Sequence, residues 1–204
     1  ISAIRDFDDF RQQIPIREYR EFDEWMHPTI QGQSKVFTRE RVTGFVETSG
    51  TQATPKLIPV TSSWSQHIRS AQMLWILGLL RDFPSMTNGA ILHHVSSATE
   101  RYTDGGLPIG ANTGRMVDAL PSSFQHRFVL NGLPKVFDVE QRMYVHLRVA
   151  LEKPVTAWLT ANPSTIALYA RKFLEWESWL RQDLAQGTLS MGPASNLPSE
   201  IREQ

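Results

Sequence analysis

The stretch from Glu47 to Thr61 holds the residues whose types and spacing are best suited to chemistry. It reads Glu-Thr-Ser-Gly-Thr-Gln-Ala-Thr-Pro-Lys-Leu-Ile-Pro-Val-Thr, and it lies between an apolar run and a strand-like run. Such a loop offers backbone N–H groups, hydroxyl donors and one positive charge to a ligand with several negative oxygens, such as a nucleotide polyphosphate. The Walker A spacing Gly-x-x-x-x-Gly-Lys-Ser/Thr is absent. A polar hairpin turn accounts for the same composition equally well.

The overall composition indicates an ordinary globular chain without a strong electrostatic field. Its 204 residues carry 21 Lys and Arg against 21 Asp and Glu, so the formal net charge is zero. Basic and acidic residues are interspersed, which argues against a nucleic acid or an anionic membrane as a partner. The longest apolar stretch, 73–80, is far shorter than the roughly 20 residues that span a bilayer. The absence of cysteine excludes disulfides and thiolate sites and fits a cytoplasmic location.

Hydrophobic periodicity predicts an α/β fold in which helices alternate with short strands. Strands are expected at 42–46 and 56–60, joined as a hairpin by the hydroxyl-rich loop. Pro55 and Pro59 confine the second strand to an edge, or to positions where no N–H is needed. Further strands are expected at 89–95 and 155–159. Helices are expected at 17–27, 61–81, 138–151 and from Asn162 to about Gly187. The helix 61–81 is apolar on most sides, which predicts that it is well buried.

Three short motifs, in order along the chain, resemble one enzyme family. Residues 48–51 (Thr-Ser-Gly-Thr), followed by 56–61 (Lys-Leu-Ile-Pro-Val-Thr), resemble the signature of the adenylate-forming superfamily, and within it most closely the GH3 family of acyl acid–amido synthetases. Residues 106–110 (Gly-Leu-Pro-Ile-Gly) look like the Gly-Leu/Ile-Pro loop of that family. Residues 160–165 (Thr-Ala-Asn-Pro-Ser-Thr) enter a helix as in its bacterial members. Together the matches cover most of the chain.

The resemblance implies a two-step ligase that uses ATP and Mg²⁺. A carboxylic acid attacks the α-phosphate of ATP to give an acyl-adenylate, and an amino acid then displaces AMP to form an amide. The residues carried over as the phosphate-binding segment are Thr48, Ser49, Gly50, Thr51 and Lys56. The loop carried over as a possible border of the acyl pocket holds Gly106, Leu107, Pro108 and Gly110. No catalytic acid or base is identified, because adenylate formation depends mostly on positioning and electrostatics.

The resemblance also implies a domain division. Residues 1–189 are expected to be part of a large N-terminal adenylation domain with mixed sheets flanked by helices. The composition of 190–204, with Gly192, Pro193, Asn196 and Pro198, predicts a weakly structured loop or linker-like tail. The family's later tyrosine-containing motif, its ribose-binding aspartate and its mobile C-terminal domain do not occur before Gln204. We therefore expect an N-terminal-side piece of a longer enzyme, inactive by itself and partnered by the remainder of its own chain.

Two alternative functions remain open at this point. An acyl-CoA ligase of the same superfamily also makes acyl-adenylates. A non-catalytic nucleotide-binding or interaction module is favoured by Gln52-Ala53-Thr54, which stand where the family usually has further Gly or Ser. The six histidines do not predict a metal site, because the neighbours His93 and His94 point to opposite faces of a strand and the others are scattered.

Overall fold

The computed structural model describes residues 4–48, 55–130 and 138–198. These residues form a mixed α/β structure, which confirms the predicted fold class. The α-helices are α1 (Phe7–Gln13), α2 (Asp23–Ile30), α3 (Ser62–Asp82), α4 (Asn112–Asp118), α5 (Ser122–Gln125), α6 (Val139–Ala150), α7 (Pro163–Glu175) and α8 (Glu177–Gln186). The strands are β1 (Val42–Glu47), β2 (Leu57–Thr61), β3 (Ala90–His94), β4 (Arg101–Tyr102), β5 (Pro108–Gly110) and β6 (Val155–Thr160). Short 3-10 helices span Tyr19–Phe22, Pro84–Asn88 and Gly192–Asn196.

The chain divides into two compact units. Unit 1 comprises Ile1–Ser63 and Glu100–Ile109, and unit 2 comprises Trp64–Thr99 and Gly110–Gln204. Within the described ranges, every helix is too short or too polar to cross a membrane.

Unit 1 is organised around a four-stranded sheet with the order β2-β1-β5-β4. β1 and β2 are antiparallel, with Val42 opposite Thr61 and Glu47 opposite Leu57, and the register shifts between Val42 and Gly44. The hairpin is thus present as predicted. β2 lies at an edge of the sheet and contains Pro59, which agrees with the expectation that proline keeps this strand at an edge.

The core of unit 1 lies against β1. Phe45 is completely buried, and it clusters with Met26, Val42 and Ile109. The helix predicted at 17–27 is instead the 3-10 helix Tyr19–Phe22 followed by α2, which continues to Ile30. The 3-10 turn is stabilised by a capping box in which the side chains of Glu18 and Glu21 bond reciprocally to backbone N–H groups.

Unit 2 contains the two parallel strands β3 and β6, with His94 opposite Thr160. Ala157 and Leu159 of β6 pack on a cluster that includes Ile91, whereas Trp158 packs on a cluster that includes Tyr169. This alternation follows from the two-residue period of a strand. The two-stranded sheet therefore separates an apolar cluster from a second cluster that contains polar rings.

The long helix α3 corrects one expectation. Its predicted position agrees with the structure, but only Gln72 and Ile76 are buried. Leu74 is 72% exposed and Leu77 is 57% exposed, so the helix is not buried on most sides among the described residues. The buried pair is spaced i, i+4, which places the contact on one stripe of the helix, and composition alone could not show which side that is.

The predicted helix from Asn162 to Gly187 is two helices. The start is as predicted: the Asn162 side chain accepts a hydrogen bond from the N–H of Ser164 at 3.0 Å, and Pro163 occupies the first helical position. The helix is interrupted at Trp176, whose side chain is buried in the core, and α8 then runs to Gly187. Gly187 has φ +66°, a left-handed conformation that glycine adopts without strain.

The segment after α8 packs into the core of unit 2, although its composition predicted weak structure. The buried carboxylate of Asp183 accepts hydrogen bonds from Tyr144 Oη at 2.8 Å, Thr188 Oγ1 at 2.6 Å, and the backbone N–H groups of Ser190 at 3.0 Å and Met191 at 3.1 Å. Burial by itself would raise the pKa of Asp183, but these hydrogen bonds outweigh it and lower the pKa. One side chain therefore ties residues 188–191 to α6 and α8.

We expect Asp183→Ala to lower the free energy of unfolding by about 3 kcal/mol, because it leaves several buried donors without an acceptor. Urea unfolding of the purified protein measures this change. The neighbouring Gln182 is exposed, so Gln182→Ala is the matched control and should change the free energy by less than about 0.5 kcal/mol. Equal stabilities of the two variants would contradict the role given to Asp183.

Candidate functional site

The β1–β2 hairpin brings together the two ends of the hydroxyl-rich loop. The N–H of Thr48 donates to the C=O of Lys56 at 2.9 Å, and the N–H of Lys56 donates to Thr48 Oγ1 at 3.3 Å. Thr48 and Lys56 are thus fixed side by side where β1 ends and β2 begins. Ser49, Gly50 and Thr51, which complete the predicted phosphate-binding segment, lie outside the described residues, as do Gln52, Ala53 and Thr54.

Tyr19 holds the outer edge of β2 at the point where the loop ends. Its hydroxyl accepts from the N–H of Leu57 at 2.9 Å and donates to the C=O of Leu57 at 2.9 Å. A sheet edge normally leaves such groups without a protein partner, and here one phenol satisfies both. Burial raises the pKa of Tyr19, so its hydroxyl keeps the proton that it donates. Nothing in the hydrophobic pattern indicates this contact.

Lys56 lies over the ring of the same tyrosine. Its Nζ is 5.7 Å from the centroid of the Tyr19 ring, within the range of a cation–π contact. Among the residues that the structure describes, Lys56 forms no ion pair. The aromatic ring orients the ammonium group without neutralising it, so the charge remains available to a negative ligand.

An ion pair next to the loop stabilises the end of β1. Both guanidinium Nη atoms of Arg101 donate to the carboxylate of Glu47, at 2.5 Å and 2.6 Å. Hydrogen bonding from Arg101 holds the pKa of Glu47 below its usual range, so the carboxylate is ionised. Glu47 precedes Thr48, and Arg101 lies on β4, two strands away in the sheet order. The pair therefore fixes Glu47, the last residue of β1, directly before the loop begins.

The second predicted loop forms a turn between β4 and β5. Gly105 approaches the backbone of Gln31 so closely that a Cβ would lie 2.3 Å from its carbonyl carbon, and Gly106 has φ +77°. Leu107 packs against the core of unit 1, and Pro108 begins β5. Gly110, the last residue of β5, belongs to unit 2, where a Cβ would meet the backbone of Ala98 at 2.4 Å. The glycines here permit close packing of the backbone, and their proximity to an acyl group stays a prediction.

Unit 2 contains a group of rings that sequence reasoning did not bring together. We call His93, His94, His146 and Tyr169 the histidine–tyrosine cluster. Tyr169 Oη lies 2.8 Å from His94 Nδ1 and 3.1 Å from His146 Nδ1, and the His93 and His146 ring centroids are 5.9 Å apart. One hydroxyl has a single proton, so it donates to one imidazole and accepts from the other.

Burial keeps this cluster neutral. It lowers the pKa of His93 to about 4 and that of His146 to about 3, and it also lowers the pKa of His94. His93 stacks on Phe128 at 4.2 Å on one side of β3, whereas His94 meets Tyr169 on the other, as adjacent strand residues should. The described residues include no group of His, Asp and Glu that could hold a metal ion.

A mostly apolar cavity of about 420 Å³ also lies in unit 2. Its wall includes Gln72 and Ile76 of α3, Phe124 of α5 and residues 156–160 of β6. Its volume falls within the range typical of pockets for small molecules, and its few polar groups are those that would orient a ligand.

A family comparison identifies the chain. The model of the GH3 family N-terminal domain matches residues 1–204. The chain belongs to the GH3 family. This confirms the resemblance that was read from residues 48–61, 106–110 and 160–165.

Solved structures share this GH3 fold. GH3.15 acyl acid amido synthetase superposes with a TM-score of 0.69 at 16% identity over 90% of this chain. AtGH3.15 acyl acid amido synthetase in complex with 2,4-DB superposes with a TM-score of 0.71 at 17% identity over 98% of this chain. The chain spans 33% and 37% of the length of those two proteins. No curated protein matches the chain.

We expect Tyr19→Phe to loosen the edge of β2 at Leu57, because the phenylalanine keeps the ring and loses both hydrogen bonds. The backbone amide of Leu57 should exchange with solvent faster by on the order of tenfold, as measured by NMR hydrogen exchange. Tyr102 is exposed in the same unit, so Tyr102→Phe should leave the Leu57 rate unchanged. An unchanged rate in Tyr19→Phe would show that the hydroxyl does not hold the strand.

We expect the free energy of unfolding to fall as the pH drops from about 6.5 towards 4. Histidines in the unfolded chain have a pKa near 6.5, so they bind protons below that pH. The buried rings of the cluster have lower pKa values and stay unprotonated there, so protonation favours the unfolded chain. The loss should approach about 1.4 kcal/mol per pH unit for each histidine. His146→Asn keeps a group at the Nδ1 position but cannot titrate, so its pH dependence should be shallower.

Urea unfolding at a series of pH values measures this slope. His67 is exposed on α3, and His67→Asn is the matched control that should keep the slope of the unsubstituted protein. If His146→Asn and His67→Asn had the same slope, the buried imidazole of His146 would not be a source of the acid sensitivity.

Proposed function

We propose that this chain is part of an ATP-dependent ligase that forms an acyl-adenylate from a carboxylic acid and passes the acyl group to an amino acid as an amide. The observation that carries the proposal is the family match over residues 1–204, together with the hairpin that sets Thr48 beside Lys56 at the base of the hydroxyl-rich loop. The two structural neighbours are acyl acid amido synthetases by name, which supports the same reaction class.

The residues at the hairpin fit a triphosphate. Thr48 supplies a hydroxyl and Lys56 a cation that has no ion-pair partner among the described residues. The loop between them contributes further hydroxyls and a glycine. A ligand with several negative oxygens needs this combination of N–H groups, hydroxyls and positive charge. Mg²⁺, when bound, would neutralise part of the phosphate charge and would be held largely by the phosphates themselves.

The protein's part in the first step is positional. Thr48 and Lys56 would orient the phosphates so that the α-phosphorus faces the carboxylate oxygen, with pyrophosphate as the leaving group. Lys56 would stabilise the negative charge that builds on the phosphate oxygens. Tyr19 and the Glu47–Arg101 pair act through the backbone, because they fix the two ends of the loop. The entropy lost on ordering those ends is therefore lost on folding and not on binding of the nucleotide.

The apolar cavity of unit 2 is our candidate for the site that holds the hydrocarbon part of the acid. Ile76, Leu79 and Leu159 give it a wall suited to an alkyl or aromatic group, and Gln72 and Thr160 supply polar contacts at its margin. The loop with Gly106, Leu107, Pro108 and Gly110 remains a second candidate border of the acyl pocket. A domain boundary near residue 189 and a cytoplasmic location are retained as proposals, although Ala194 and Leu197 pack in the core of unit 2.

Two alternatives make different predictions. An acyl-CoA ligase also catalyses exchange of pyrophosphate into ATP when an acid is present, but its second substrate is coenzyme A. A non-catalytic module would bind nucleotide or a partner without any exchange. The motif Lys56-Leu57-Ile58-Pro59 and the Asn162-Pro163-Ser164 helix start favour the amide-forming enzyme over the acyl-CoA ligase.

Pyrophosphate exchange by the protein at its natural length, with a panel of alkyl and aromatic carboxylic acids, tests the proposal. Acid-dependent exchange supports adenylation, and its absence with every acid would overturn adenylation in favour of the inert module. Product analysis with amino acids against coenzyme A then separates an amide from a thioester. A thioester as the sole product would establish the acyl-CoA ligase.

We expect Ser49→Ala with Thr51→Ala to lower exchange by on the order of tenfold or more, because donors to the phosphates are removed. Ser34 is exposed and lies outside the loop, so Ser34→Ala is the control that should keep full exchange. Unchanged exchange in the double variant would refute the assignment of this loop to phosphate binding.

We expect Ala157→Leu to narrow the cavity and to discriminate against large acids. The value of kcat/KM for acids with bulky hydrocarbon groups should fall by on the order of tenfold relative to short-chain acids. The exposed Ala170 on α7 provides the control Ala170→Leu, which should leave the order of preference unchanged. If Ala157→Leu affected all acids equally, the cavity would not be the acyl site.

A further inference from the structure

In the described part of the chain, β6 lies at the edge of a parallel sheet of two strands. Its one neighbouring strand there is β3. Parallel sheets are covered by helices on both faces, and sheets usually have about four to six strands. Here α3 packs on one face through Ile76, and α7 packs on the other through Tyr169. Two helical layers around only two strands indicate that the sheet is part of a larger one.

The outer edge of β6 presents backbone groups of the kind to which a further strand bonds. Ile91 makes its backbone hydrogen bonds with residues 127 and 129, so the next residue, Leu92, directs its N–H and C=O towards β6. In a parallel pair, the residue opposite directs its own groups away. Trp158 lies opposite Leu92, and its N–H and C=O therefore point outward. Outward-directed groups on a sheet edge are where another strand adds.

The apolar cavity of unit 2 follows this edge. Residues 156–160 of β6 all border it, although successive residues of a strand point to opposite faces. A cavity that contacts both sets of residues must extend around the outer edge of the strand. Space for a further strand therefore lies directly beside β6.

An apolar stripe of α3 borders the same space. Trp75, Leu79 and Phe83 recur every four residues along α3 and its end, and all three line the cavity. Trp75 is 48% exposed and Phe83 is 62% exposed. Large apolar side chains on one stripe of a helix normally pack on a sheet or on another helix. A strand beside β6 would give this stripe such a surface.

The length of the structural neighbours indicates which segment adds here. The chain spans 33% and 37% of the two acyl acid amido synthetases, and the matched family model is that of an N-terminal domain. Helices α7 and α8 follow β6 in the chain. Strands that follow one another along a chain are neighbours in about two-thirds of cases, and a crossover through helices returns parallel to the same sheet. The next strand is therefore expected beside β6.

We propose that the first strand-forming segment after Gln204, in the protein at its natural length, adds to the outer edge of β6 and packs against the apolar stripe of α3. The added strand runs parallel to β6 and forms the remaining wall of the cavity. Its side chains then help to select the acid, a consequence that rests on the proposed function. Addition of the strand itself does not depend on the ligase reaction.

Photo-crosslinking from α3 tests the proposal in the protein at its natural length. Trp75 is replaced by p-benzoylphenylalanine, which is of similar size and reacts on illumination with the C–H bonds that it contacts. Mass spectrometry of the digested monomer should identify a cross-link to a peptide after Gln204. Gln66 is exposed and lies nine residues earlier, on the opposite side of α3. The same replacement at Gln66 is the control and should not give that cross-link.

Hydrogen exchange of the unsubstituted protein gives a second measurement. The N–H of Trp158 points outward, whereas that of Leu159 points towards β3. With a strand on each side of β6, the two amides should exchange at rates within about tenfold of each other. At an open edge, the Trp158 amide should exchange faster than that of Leu159 by on the order of 100-fold.

Three results would overturn the proposal. Cross-links from position 75 that join two copies of the protein would assign the edge to a second copy. Cross-links confined to residues 1–204 would show that no later segment contacts the stripe. Fast exchange at Trp158 beside slow exchange at Leu159 would show that the edge is open. Adenylation is tested separately by pyrophosphate exchange, so failure of one proposal is distinguishable from failure of the other.

Discussion

The outer edge of β2 is the constraint on which the candidate site of unit 1 depends. An edge strand exposes backbone groups that nothing in its own sheet can satisfy. At Leu57 the hydroxyl of Tyr19 satisfies both the N–H and the C=O, and the ring of the same tyrosine lies under Lys56. One side chain therefore stabilises the hairpin, sets where the loop ends and orients the cation. The Glu47–Arg101 pair performs the equivalent task at the other end of the loop.

Unit 2 presents two different chemical environments on the two sides of one small sheet. The side of Ala157 and Leu159 is apolar and borders the cavity. The side of Trp158 carries His94, His146 and Tyr169, and burial keeps both of these histidines neutral. Successive residues of a strand point to opposite faces, so adjacent positions in β6 contact different side-chain clusters. The apolar side is the one that we propose for the hydrocarbon part of an acid.

Local signals in the sequence were sufficient for the hairpin and for several helix ends. Pro59 placed β2 at an edge, and Asn162 with Pro163 marked the start of α7. The signals failed where distant residues decide the outcome. The helix is interrupted at Trp176 because the ring of this residue is buried in a core assembled from several elements. The contact between His94 and His146 joins a strand to a helix about 50 residues later in the chain. The hydrogen bonds of Tyr19 to Leu57 are equally non-local. Hydrophobic periodicity does not show which hydroxyl contacts which strand edge.

Hydrogen exchange with and without ATP shows whether the hydroxyl-rich loop of the β1–β2 hairpin holds the nucleotide. In the protein at its natural length, ATP with Mg²⁺ should slow exchange of the backbone amides between Thr48 and Leu57, because the loop and its two ends would be ordered around the phosphates. The amides of α8 should be unaffected and provide the reference. ATP binding that protected other segments while the amides from Thr48 to Leu57 exchanged as in the free protein would show that the phosphates do not bind at this loop.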